Sequence, residues 1–207
     1  MLDVSCGIGT QAIGLAKNGF QVTASDVSER AIERAILEAK RHEQLVAFSV
    51  CDMLAARAQH GSGFDIAITC DNSLPHLLTD ADILAALKEM FECLRPGGGC
   101  LITVRDYDRE QRGRNLVKPY GVRERDGKRH LVFQVWDFEA EHYDLTMYFV
   151  EEDLGSKEVR TQTMRSRYYA IGIKRLLAMM EGVGFREVVR LDEGFYQPST
   201  RPCWHKT

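Results

Sequence analysis

Leu2-Asp3-Val4-Ser5-Cys6-Gly7-Ile8-Gly9-Thr10 is the stretch that decides the fold. Met1–Ser5 reads as the end of an apolar strand, and Gly7 and Gly9 break it. A helix is expected from Thr10 to Asn18, with Gly19 stopping it in a C-cap position. Glycines in such a strand-to-helix turn let a ligand approach the backbone. The exposed N–H groups and the helix dipole favour a negative group there.

The same alternation continues outward. Gln21–Ser25 reads as a second strand, and the helix after it carries Ile32, Ala35, Ile36 and Ala39 on one apolar stripe. Val46–Val50 and Phe64–Cys70 are the third and fourth strands. Thr79-x-x-Asp82 resembles a capping box opening a helix with Ile83, Leu84, Leu87, Met90, Phe91 and Leu94 on one face. Pro96 and the Gly97–Gly99 run end that helix, and Cys100–Val104 is a fifth strand. Strand–helix alternation at this pitch predicts an α/β fold, a parallel sheet with helices on both faces. Ligands of such sheets lie beyond the carboxyl ends of the strands, so functional residues belong in the turns there.

The second half changes character. Arg105–Arg129 holds nine Lys/Arg against five Asp/Glu, with Gly113, Pro119, Gly121 and Gly127, and reads as a mobile surface segment. Leu131–Phe138 and Tyr143–Val150 alternate in period two, an antiparallel hairpin, and Val159–Tyr169 suits a third strand. A last helix carries Ile173, Leu176, Leu177, Met180 and Val183 on one face and closes at Gly184. Arg186–Leu191 is expected as a final strand before a tail with Phe195-Tyr196-Gln197-Pro198. The expected organisation is a single domain over residues 1–207. Its ligand-binding half is 1–105, a loop and β-hairpin cap follows at 106–169, and a helix, strand and tail close it at 170–207.

Composition narrows the function. The 207 residues carry 27 Lys+Arg and 30 Asp+Glu for a formal charge of −3, with 44% hydrophobic and 28% charged residues, an ordinary globular balance. The longest apolar run, Leu176–Met180, is too short to span a bilayer. Near-neutral charge argues against sequence-independent nucleic-acid binding. Six scattered cysteines without a C-x-x-C pair suit a reducing compartment, so a cytoplasmic location and no metal site are expected.

Asp26 lies 23 positions beyond Asp3, where an acid ending the second strand accepts hydrogen bonds from ribose hydroxyls. The competing reading has Asp26-Val27-Ser28 only capping the next helix. A dinucleotide site wants a further glycine at Gln11 or Ala12, and its absence counts against NAD.

Leu2–Gly9 resembles the first motif of class I S-adenosylmethionine (SAM) dependent methyltransferases, D/E-x-G-x-G-x-G, with Ser5 in place of the first glycine. Asp26 matches that family's ribose-binding acid, and Cys51-Asp52-Met53 the position that meets the adenine amino group. Cys70-Asp71-Asn72-Ser73-Leu74-Pro75-His76 matches the segment after strand four, and Leu94-Arg95-Pro96-Gly97-Gly98-Gly99 the turn before strand five. The resemblance covers residues 1–105 and implies a Rossmann-like, mostly parallel sheet flanked by helices, with an antiparallel β cap inserted after strand five. It implies SAM as cofactor and S-adenosylhomocysteine as product. The cofactor residues carried over are Asp3, Cys6, Gly7, Gly9, Thr10, Asp26, Val27, Asp52, Met53, Cys70 and Asp71.

Asn72–Leu77 and Ile102–Asp108 look like segments of glycine/sarcosine N-methyltransferases, in which the Arg of an R-x-Y-D stretch binds the substrate carboxylate. That Arg is Arg105 here, and a guanidinium suits bidentate carboxylate capture. The alternative is a surface pair with Asp106 or Asp108. The expected acceptor is accordingly a small molecule bearing an amine and a carboxylate. Methyl transfer to nitrogen needs chiefly alignment and water exclusion, so no triad is required. Asn72 and Ser73 can orient the amine. His76 can act as base or orienter, although a structural hydrogen-bonding role is the favoured reading. Tyr107, Tyr120, Tyr168 and Tyr196 are read as packing residues, and Cys6, Cys51 and Cys70 as small apolar ones. A nucleic-acid or protein methyltransferase and a non-catalytic SAM-binding module are the alternatives. Against the first, Asp71–Leu74 lacks an N/D-P-P-Y-type segment. Family members ordinarily carry cover helices before strand one, so the chain is expected to start late.

Overall fold

The computed structural model describes residues 1–191, which divide into two compact units. One unit comprises Met1–Asp106 and Gly172–Val188, and the other comprises Tyr107–Ile171 with the residues from Val189. The tail segment Phe195–Pro198, Tyr196 included, lies outside the described residues.

The first unit runs β1 (Leu2–Asp3), α1 (Thr10–Lys17), β2 (Thr23–Asp26), α2 (Glu29–Arg41), β3 (Ala47–Val50), α3 (Ala56–His60), β4 (Phe64–Thr69), α4 (Asp80–Cys93) and β5 (Leu94–Ile102), with α5 (Ile173–Val183) added from the far end of the chain. The strands form one parallel sheet in the order β3-β2-β1-β4-β5. The chain therefore builds outward from β1 on one side and then crosses to build on the other. That reversal falls between the carboxyl ends of β1 and β4, the place where open α/β sheets generally bind ligands.

Both sheet faces are buried. Leu2, Val4 and Ala67 pack against Ala56, Met90 and Cys93, while Cys6 and Ala24 pack against Ala12, Val22 and Ile32. That double burial is why the strands read as short, nearly continuous apolar runs. The helix starts follow the expected chemistry. Ser28 Oγ accepts from the Ala31 N–H at 3.3 Å, and Thr79 Oγ1 accepts from the Asp82 N–H at 3.1 Å. Each such cap contributes about 1 kcal/mol. Two residues expected in buried stripes are half-exposed, Ile36 at 49% and Phe91 at 40%. Phe91 packs edge-on against Phe185 with ring centroids 5.0 Å apart.

Three local expectations need correction. The helix α4 ends at Cys93, and β5 begins at Leu94, so the Pro96–Gly99 run lies inside the strand and not ahead of it. The register shifts there, and a Cβ on Gly98 would stand 3.0 Å from the carbonyl oxygens of Phe64, Asp65 and Arg95. Glycine permits this close backbone approach, and it makes a bulge where the sequence suggested a stop. The five-residue helix α3 was not foreseen, because Ala56–His60 is too short to show a period. Arg186–Leu191 forms no strand among the described residues, and Glu187 there has φ +55°.

The second unit is a separate antiparallel sheet of β6 (Leu116–Arg125), β7 (Lys128–Glu139), β8 (His142–Asp153) and β9 (Val159–Tyr169) in sequential order. About half of the segment expected to be mobile is thus strand β6 and the start of β7. β6 sits at an edge, where Pro119 and Gly121 at a register shift are tolerated. Charges are matched across β6, β7 and β8, with Arg129 held 2.9 Å from both Glu124 and Glu152 and Lys128 2.6 Å from Glu151. Tyr107, Trp136, Tyr143 and Leu145 form the core of this unit. The Tyr107 and Tyr143 hydroxyls are 3.0 Å apart, and Trp136 Nε1 donates to Gln134 Oε1 at 2.8 Å. Tyr107 and Tyr168 are packing residues, as expected, whereas Tyr120 stands 52% exposed. No helix among the described residues is long and apolar enough to cross a membrane.

Candidate active site

Five strand ends meet along one rim of the parallel sheet, and the expected site residues lie on them. After β1 the chain turns through Gly7 at φ +53° and Gly9 at φ +85°, left-handed values that favour glycine. The two glycines do different work. A Cβ on Gly7 would meet nothing within 4 Å, so this position faces open space. A Cβ on Gly9 would lie 3.1 Å from Ala35 Cβ and Ile13 Cδ1 and 3.2 Å from Phe48 Cζ. Gly9 therefore serves the packing of α1 against α2 and β3, and Gly7 is the glycine with room beside it. Thr10 opens α1, whose N-terminus carries no side-chain cap.

Asp26 ends β2 and ties this turn in place. Its Oδ2 accepts from the Gly7 N–H and its Oδ1 from the Ser28 N–H, both at 2.9 Å. Asp26 is not itself the cap of α2: it holds the N–H of Ser28, the residue that caps that helix. Each carboxylate oxygen keeps a further lone pair. Val27 beside it is 70% exposed.

Asp3 is 1% exposed, and burial pushes its carboxyl up to about 7, with the Asp26 charge adding to the rise. Its Oδ1 accepts from the Ser5 N–H at 3.1 Å, and Oδ2 has no hydrogen-bond partner among the described residues. Cys6 donates its N–H to Ser25 O at 2.9 Å. Burial pushes the Cys6 thiol to about 12 and that of Cys70 to about 11, so both stay protonated, inert and apolar. Asp52, after β3, caps a 3-10 turn over Met53–Ala55 by accepting from the Leu54 N–H at 2.9 Å. Met53 packs on the core.

After β4, Asp71 and Asn72 adopt φ +56° and +63° in succession. Thr103, after β5, steadies them. Its Oγ1 accepts from the Asp71 N–H at 2.8 Å and its carbonyl from the Asn72 N–H at 3.0 Å. Asn72 Oδ1 in turn accepts from the Arg105 N–H at 3.0 Å. His76 ends a 3-10 turn over Leu74–His76; crowding by protein lowers its pKa, with the Asp26 charge acting in the other direction. The Asp26 charge thus acts on both His76 and Asp3.

Sequence reasoning missed four contributors. Ser5 Oγ lies 2.8 Å from Thr69 Oγ1 across the β1–β4 reversal, and Ser25 Oγ lies 3.1 Å from His60 Nε2. Thr69, Ser25, His60 and Thr103 look unremarkable in isolation, because their partners lie 32 to 64 positions away.

Comparison with known proteins resolves what this rim belongs to. The family model described as "Methyltransferase domain" matches residues 1–98, the whole run from β1 into β5. Residues 1–98 are thus similar to a methyltransferase domain. The chain is 34% identical over 119 residues to the glycine/sarcosine N-methyltransferase of Parasynechococcus marenigrum, covering 57% of this chain and 42% of that protein. It thus spans less than half the length of that relative. Among solved structures, DesVI of Streptomyces venezuelae superposes with a TM-score of 0.76 at 23% identity, over 89% of this chain and 75% of that one. SAM-bound CalS10 from Micromonospora echinaspora, an amino pentose methyltransferase, gives a TM-score of 0.75 at 17% identity, over 88% and 73%. At those identities the structures attest the fold of the methyltransferase domain and its antiparallel companion, and no more.

Proposed function

We propose that this chain transfers the methyl group of SAM to the amine of a small, carboxylate-bearing molecule. The observation that carries the reading is the 2.9 Å bond from the Gly7 N–H to Asp26 Oδ2, which joins the glycine turn and an acid into one unit at the sheet reversal. The residues present fit a cationic adenosyl donor. Gly7 faces open space, Asp26 retains acceptor capacity for two ribose hydroxyls, and Asp3 offers a buried carboxyl oxygen without a partner. Asp52, Met53 and Val27 would flank the adenine. Cys6, Cys70 and Asp71 would wall the pocket, with Gly9 and Thr10 shaping the helix start.

When bound, SAM supplies a methyl group on a positively charged sulfur, and that charge disperses as the methyl moves to a neutral nitrogen. The chain's own work is alignment. Ser73 Oγ donates to Cys70 O at 2.8 Å, which leaves its oxygen lone pairs to accept from an amine. Asn72 Oδ1 accepts from the Arg105 N–H at 3.0 Å, which holds its amide at the rim. The Arg105 guanidinium would grip the substrate carboxylate as a two-pronged donor. His76, kept neutral at physiological pH, could hold the proton that the amine releases. The glycine/sarcosine N-methyltransferase likeness supports the amino-acid-like acceptor.

A ligand screen by thermal shift tests the reading. S-adenosylhomocysteine should raise the melting temperature and NAD should not. Arg105→Ala should leave that shift intact while raising the KM for glycine or sarcosine in a methyl-transfer assay. Methylation of oligonucleotides, and of no amino acid, would overturn the acceptor assignment.

A further inference from the structure

Residues 51–60 follow β3 and include Asp52 and Met53, the residues assigned to adenine; their placement decides whether adenine and ribose are met together. The segment is anchored at three points. The Cys51 N–H donates to Asp26 O at 3.0 Å, the Arg57 N–H to Glu89 Oε2 at 2.7 Å, and at its far end His60 Nε2 lies 3.1 Å from Ser25 Oγ. Ser25 is wholly buried and stands at a junction. Its carbonyl accepts from the Cys6 N–H at 2.9 Å, its hydroxyl meets His60, and the next residue is Asp26, bonded to Gly7. The glycine turn, the ribose acid and the adenine segment thus converge on one serine.

We propose that Ser25 and His60 are a pair of positioning residues that fixes the adenine segment against the strand end carrying Asp26. The pair touches no ligand and acts through Asp52 and Met53. The glycine turn stays anchored to the Ser25 backbone whichever side chain stands there, so loss of the pair loosens only the adenine side. This rests on the SAM reading above.

The test is calorimetric titration of the full chain with S-adenosylhomocysteine and with adenosine, which carries the adenine and ribose alone. His60→Ala should weaken both ligands by the same factor, about five- to tenfold, the range of one lost hydrogen bond. His60→Gln, which places an amide nitrogen near the same point, should recover affinity to within about twofold of the original protein. Ser25→Ala should match His60→Ala, and the double variant should lose no more than either single one. A merely structural role would lower the ligand-free melting temperature and leave both affinities unchanged, which overturns the proposal. Loss of S-adenosylhomocysteine affinity with adenosine affinity retained would also overturn it. If the unaltered protein binds no S-adenosylhomocysteine, the SAM reading itself falls, a result distinct from either of these.

Discussion

The turns after β1 and after β4 sit side by side at the sheet reversal, and both need left-handed backbone. The first reaches it with glycines, Gly7 and Gly9; the second uses Asp71 and Asn72. A non-glycine residue there costs roughly 1 kcal/mol, though Asp and Asn tolerate it best. The β1 turn thereby gains empty space beside Gly7, which a ligand can enter. The β4 turn accepts some strain and gains side chains at the rim, steadied by Thr103 and by the bond from the Arg105 N–H to Asn72 Oδ1. In the function proposed above, one turn would receive the ligand and the other would reach toward it.

The largest effect expected on this contrast comes from the acid at the end of β1. Asp3 in the folded protein has a pKa of about 7 against 3.8 for the free group, because burial disfavours its charge. The folded state therefore holds a proton that the unfolded chain has released, and stability declines as pH rises from about 4 to about 7, then levels off. The loss is at most about 4 kcal/mol, three pKa units at about 1.4 kcal/mol each. Asp3→Asn should flatten that slope in urea unfolding series and make the variant more stable than the parent at pH 8. An unchanged slope would remove Asp3 as its source.

Next comes Asp26, which holds the receiving turn. Asp26→Ala removes two amide hydrogen bonds to a carboxylate, each worth about 1.5–3 kcal/mol, and should weaken S-adenosylhomocysteine binding by roughly 100-fold in calorimetry. Gly9→Ala combines a strained φ with overpacking and should cost about 2–3 kcal/mol on chemical denaturation. Gly7→Ala meets open space and should cost only about 1 kcal/mol while still impairing ligand affinity. Equal costs for the two glycine variants would erase the distinction drawn between them. The smallest effect is expected in the reaching turn. Asn72→Gly relieves strain but removes the acceptor for the Arg105 N–H, so stability should change by less than about 1 kcal/mol. The methyl-transfer rate should nevertheless fall, and Asn72→Asp, which keeps the acceptor, should retain more of it.

The contrast also explains how much could be read in advance. Gly7, Asp26 and the alternating strands were legible because turn chemistry and apolar runs are local signals. Ile36 on α2 misled, because a stripe position at a helix margin can face water as readily as the core. β6 was obscured because an edge strand with one partner needs little apolar sequence, and its Glu124 is paired with Arg129 of the next strand. The Ser5–Thr69 and Ser25–His60 contacts join residues 64 and 35 positions apart, so only the folded topology discloses them.

The double grip on Asp26 has a thermodynamic consequence. Two backbone amides already fix its rotamer before any nucleoside arrives, so the ordering entropy is borne in folding and not in binding. A nucleoside bound there, as proposed, would meet a preorganised carboxylate.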